Sequence, residues 1–133
     1  MPYLISIVRD MQYDICVLTG DYRGKTYGPF EKSLKGVHEL RAQLKGPLFG
    51  VLGNHDSIYM TPSLEAMGIR MLFNECEALI RGDQQIFLAG VDDLHFYRAD
   101  DVEKSGVSNS TRCLFDFIIA YAGGLRSRGE CEI

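Results

Sequence analysis

The sequence lacks any apolar run long enough to span a membrane, and no basic-then-apolar leader opens it. It also lacks an excess of positive charge: 14 Lys and Arg stand against 18 Asp and Glu, for a formal net charge of −4. That balance argues against nucleic acid or an anionic membrane held by bulk charge, though not against a metal that neutralises a phosphate locally. Cysteine is sparse and scattered. Cys16, Cys76, Cys113 and Cys131 form no C-x-x-C pair, so they read as free thiols in a reducing compartment rather than a zinc site or disulfide framework. The expected location is therefore the cytoplasm. Histidine is scarcer still: only His38, His55 and His95 occur, and none lies in a paired-histidine motif.

What is present suits one domain or a large part of one. The 133 residues are 46% hydrophobic, enough to bury a core. Leu4, Ile5, Val8 and Met11 recur at helical spacing in a first segment without a cap. Asp14 to Thr19 is a short apolar run ending in Gly20-Asp21, as expected of a buried parallel strand. A glycine-containing loop follows. Phe30, Leu34, Val37, Leu40 and Leu44 then form one face of an amphipathic helix that Gly46-Pro47 stops; His38 falls on its polar face. Leu48 to Leu52 is a second buried strand. Thr61, Pro62 and Gly68 predict cap, first position and end of a short helix, and Ile69 to Phe73 a short strand. Runs at Glu75–Arg81 and Gln84–Ala89 flank Gly82-Asp83 and predict a hairpin. The expected fold class is α/β, built on a mixed sheet. After Lys104 the character changes, and residues 105–133 form a tail to which the sequence assigns no element beyond an ambiguous apolar run at 113–122.

The second strand delivers Gly53-Asn54-His55-Asp56 to its carboxyl end, where open α/β sheets collect ligands. Asn and Asp offer hard oxygen ligands to a divalent cation, and His can bind a metal or move a proton. Gly20-Asp21 alone is common turn chemistry, and Asn-His-Asp alone could be a turn bonded to its own backbone. Together they say more. A right-handed crossover puts both strand ends on one edge of the sheet, so Asp21 and Asn54 are expected to converge. A carboxylate that can bridge two cations, beside an amide that binds one, suits a two-metal centre with ions about 3.5–4 Å apart.

The segments Leu18-Thr19-Gly20-Asp21 and Gly50-Val51-Leu52-Gly53-Asn54-His55-Asp56 resemble two motifs of the calcineurin-like metallophosphoesterases, in a bacterial branch of that superfamily. The likeness covers roughly residues 3–104, a partial domain of αββα sandwich type. It implies a metal-dependent phosphoester hydrolase acting on a phosphate-ester substrate, with two divalent ions such as Mn, Fe or Zn. It implies Asp21 as the bridging ligand, Asn54 as a ligand to one ion, and His55 outside the metal shell as the group that assists the leaving oxygen. Some relatives in this branch act on lipid-linked or nucleotide-sugar phosphates, which would place an intact relative at a membrane surface. Asp56, Arg23, Asp92 and His95 are candidate supporting or substrate residues, each set against a plainer role: turn aspartates, an exposed loop arginine, a structural histidine.

The sequence departs from the pattern in its histidines. The family's D-x-H and G-H-x-H motifs have no counterpart; Asp10-Met11-Gln12 carries glutamine where histidine is needed. The expectation is a fragment with an incomplete ligand set, weakly active or inactive. The alternative is a non-catalytic α/β remnant or interaction module. A flavodoxin-like or receiver-like domain ranks below both, because those folds do not require Asn-His-Asp after a strand.

Overall fold

The two apolar runs that flank the first crossover pair side by side. In the computed structural model, which describes residues 2–91 and 117–120, β1 (Cys16–Leu18) and β2 (Leu48–Gly50) are parallel, with Val17 opposite Phe49. β3 (Arg70–Met71) joins the other side of β2, also parallel, giving the order β1-β2-β3. Val37 from the first connection and Leu64 from the second enter one core, so the connecting helices share one face.

Side chains of β2 and the residues after it sort by the two-residue period of an extended chain. Leu48 and Leu52 enter a core with Val37, Leu44, Met60, Leu64, Ile69 and Met71, on the helix side. Phe49 and Val51 point the other way, into a second core with Leu72 and Leu88. That second core lies against the hairpin of β4 (Glu75–Arg81) and β5 (Gln84–Gly90), which pair antiparallel through Leu79 and Ile86. The layers are therefore helices, parallel sheet, second sheet. At Gly90 the sheets come so close that an added Cβ would overlap Leu72.

The α/β class is shown: among the described residues one three-stranded sheet is wholly parallel, and a second is mixed, antiparallel between β4 and β5 and parallel between β5 and the last strand. Alternation within each strand was readable, whereas which strands share hydrogen bonds was not. β6 (Phe117–Ala120) pairs parallel with β5, so a strand comes from the stretch to which the sequence assigned no element.

The helices follow their apolar spacing. α1 (Pro2–Arg9) sets Val8 against the helix-side core. α2 (Glu31–Arg41) places Leu34, Val37 and Leu40 there and leaves His38 exposed. It ends three residues before Leu44, which is still buried because the chain tightens through Gln43 N–H to Leu40 C=O, 2.9 Å.

α3 (Thr61–Ala66) does not use Thr61 as its cap. A 3-10 turn at Ile58–Met60 runs straight into it, with Ser57 capping that turn and Met60 in the cap position of α3. The Thr61 hydroxyl is thereby buried without a partner. The carboxyl end behaves as expected: Gly68 at φ +76° donates to Glu65 C=O and Ile69 donates to Leu64 C=O. This paired closure satisfies two end carbonyls while Leu64 and Ile69 meet in the core. Truncating Leu64, fully buried, would cost about 2–5 kcal/mol. No helix among the described residues is long and apolar enough to cross a membrane.

Candidate functional site

The segments following β1 and β2 meet backbone to backbone. Gly20 has φ +86°, and a methyl group placed on it would lie 2.8 Å from the Gly53 Cα. A methyl on Gly53 would in turn overlap the Asp21 backbone and carboxyl group. Only glycine at both positions lets the loops approach this closely. Asp21 follows in the left-handed region at φ +56°, a conformation uncommon outside glycine that aspartate tolerates better than most residues.

The contact places the Asp21 carboxylate beneath the second loop. Its Oδ1 accepts the backbone N–H of His55 at 3.2 Å, across 34 residues. The loop itself is a turn closed by Asp56 N–H to Gly53 C=O at 3.0 Å. Asp56, 2% exposed, holds that turn from inside. Its Oδ2 accepts from Gly53 N–H at 2.8 Å and its Oδ1 from Arg23 N–H at 3.1 Å. Burial pushes the Asp56 carboxyl above its ordinary value, while the backbone N–H groups of Gly53, Arg23, Tyr22 and Asp21 pull it down less strongly.

His55 is half-exposed, and its Nδ1 lies 2.7 Å from the Thr26 hydroxyl. That contact leaves the other ring nitrogen facing outward from the pair. Asn54 is also half-exposed, and among the described residues its side chain has no hydrogen-bond partner. Tyr22 donates its hydroxyl to Val51 C=O at 3.0 Å and fills the space above Gly50. Burial, then the Asp56 charge, drives the Tyr22 hydroxyl far above the ordinary tyrosine value, so it remains a donor. A cleft of 660 Å³ opens beside Asp21, bordered by Leu18, Tyr22, Lys32, Lys35 and Leu40.

Asp21, Asn54, His55, Asp56 and Arg23 are thus gathered at one sheet edge. Asp56 is a structural anchor of the turn rather than a group open to a ligand. Arg23, a candidate supporting or substrate residue set against the plainer reading of an exposed loop arginine, is buried. Thr26 and the Gly20–Gly53 contact had no signal in the sequence, since both depend on how the loop 19–30 doubles back. Asp92 and His95 lie outside the described residues.

No family model, curated protein or solved structure matches this chain. The site must be judged on its own donors. Among the described residues no group of three or more His, Cys, Asp or Glu side chains is placed to hold a metal ion. Asp21 and Asn54 offer one carboxylate and one amide, too few for a two-metal centre and a weak pair for a transition metal.

Proposed function

We propose that these residues are one corner of a metal-dependent phosphoester hydrolase centre of the calcineurin-like type, within a partial αββα domain. The observation that carries this reading is the hydrogen bond from His55 N–H to the Asp21 carboxylate. It joins the two motifs the resemblance rests on at the carboxyl ends of neighbouring parallel strands. Asp21 and Asn54 are the groups that would face a divalent cation, and His55, steadied through Nδ1 by Thr26, the group that would hand a proton to a leaving alkoxide. Among the described residues the donors for such a centre are Asp21 and Asn54, and the sequence lacks the paired-histidine motifs, so on this reading the chain is an incomplete, weakly active hydrolase.

The donor count favours a second reading, in which the same fold is a non-catalytic remnant or interaction module. The two separate on the purified chain by metal analysis and hydrolysis of an aryl phosphate. On the hydrolase reading, added Mn or Zn gives measurable turnover that Asn54→Ala and His55→Ala both reduce. Turnover unchanged in both variants overturns these roles. Tightly held, stoichiometric metal rules out the remnant.

A further inference from the structure

A second concavity, of 410 Å³, lies under the loop between β1 and α2, and Lys32 and Ser33 border both it and the cleft beside Asp21. Its charged lining is Arg23, Lys25 and Lys32, with no carboxylate. Three cations around one small space are unusual in a chain of net charge −4. Among the described residues none of the three pairs with an acid; the four ion pairs there involve Arg9, Arg70 and Arg81.

Arg23 is the informative member. It is only 7% exposed, and a guanidinium cannot discard its charge to escape burial. One nitrogen, Nη2, donates to Gly28 C=O at 2.7 Å, and the Phe30 ring sits 5.9 Å from the guanidinium carbon. Those contacts fix the plane of the group but supply no counter-charge, and a buried charge without one is costly. Its remaining N–H groups have no acceptor among the described residues, and Arg23 lines the cleft. A rigid fork of donors at the base of a space ringed by lysines matches an oxyanion with several acceptor oxygens.

We propose that this cleft binds a phosphate group, with Arg23 as the fixed donor and Lys25 and Lys32 as exposed charges around it. Arg23 N–H is held by Asp56, the carboxylate that also holds Gly53, so the phosphate cleft and the Asn-His-Asp turn keep a fixed spacing. Resting on the hydrolase reading above, the cleft takes a second phosphate of the substrate and favours diphosphate-bearing esters over simple monoesters.

The test uses the full chain stripped of metal, titrated with inorganic phosphate and with pyrophosphate at low salt and followed by amide chemical shifts. Saturable shifts in residues 23–33, tighter for pyrophosphate and weakened by added salt, are expected. Lys25→Gln and Lys32→Gln, both exposed and neutral to folding, should each weaken binding about twofold to fivefold. Arg23→Gln should weaken it more, and the lysine variants keep the test decisive if that chain fails to fold. Asp21→Ala should retain pyrophosphate binding in the metal-free titration and, in a separate assay with Mn or Zn added, lose the pyrophosphate hydrolysis of the wild-type chain. The cleft proposal is overturned by no saturable shift up to about 10 mM anion, or by binding unchanged in the double lysine variant. Hydrolysis surviving in Asp21→Ala would overturn the hydrolase reading instead, with anion binding untouched.

Discussion

Asp56 accepts the backbone N–H of Arg23 at 3.1 Å across 33 residues of sequence. Its other oxygen accepts Gly53 N–H at 2.8 Å, so one buried carboxylate ties the loop after β1 to the turn after β2. Both candidate ligands sit on segments it holds.

Replacing Asp56 should therefore do more harm than its position on a surface turn suggests. Asparagine turns one acceptor oxygen into a donor facing backbone N–H groups that have no other partner. Asp56→Asn is expected to lower the unfolding free energy by about 1–3 kcal/mol, read by urea denaturation, and to shift the amide resonances of Gly53 and Arg23 together. A stability unchanged within error would show that the carboxylate is dispensable.

The same carboxyl predicts a pH dependence whose sign follows from burial. Folded Asp56 titrates above the value of 3.8 that it has when unfolded, because desolvation outweighs the backbone N–H groups. The folded chain thus binds this proton more tightly. The proton-linked part of Asp56's contribution, distinct from its hydrogen bonds, is fully present below pH 3.8 and is lost as pH rises through the elevated folded value. The stability difference between wild type and Asp56→Asn, in which other carboxylates cancel, should shrink with rising pH across that window. A difference that grows instead would mean that the N–H groups win over burial.

The approach of Gly20 to Gly53 makes a sharp steric prediction. Gly20→Ala combines a positive φ with overlap against Gly53, and Gly53→Ala overlaps the Asp21 backbone. Each should cost about 2–4 kcal/mol and separate the loops. Gly24→Ala, in the same loop with nothing within 4 Å of the added methyl, should stay within about 0.5 kcal/mol of wild type. Equal effects at all three positions would show that the loops do not touch.

Thr26 and His55 predict a spectroscopic change rather than a loss of stability. With Nδ1 at 2.7 Å from the Thr26 hydroxyl, which pairs with either ring tautomer, the contact fixes the orientation of the ring. Thr26→Val should release the ring from this orientation, visible as changed ring nitrogen and carbon shifts of His55. Unchanged shifts would remove Thr26 as a positioning residue.

Much of the fold was legible because its information is local. The apolar face of Leu34, Val37 and Leu40, the run at Leu48–Leu52 and the hairpin around Gly82 each report a backbone period that needs no distant partner. Thr61 misled because its cap signal was overridden by the 3-10 turn that runs into α3 without a break. Which strands fall in which sheet was hidden because the choice of neighbour depends on packing, here Phe49 and Val51 against Leu88.

The same line runs through the candidate site. The sequence by itself pointed to Asp21 and Asn54 following parallel strands joined by one helix, and parallel strands bring their carboxyl ends to one edge. Only the tertiary structure decided what the residues between and around them do. Asp56 became an anchor and Arg23 a buried cation because the loop 19–30 folds back onto the turn, bringing together groups more than 30 residues apart. Burial and pairing belong to that closure; they are properties of the enclosed space, which no spacing along the chain records.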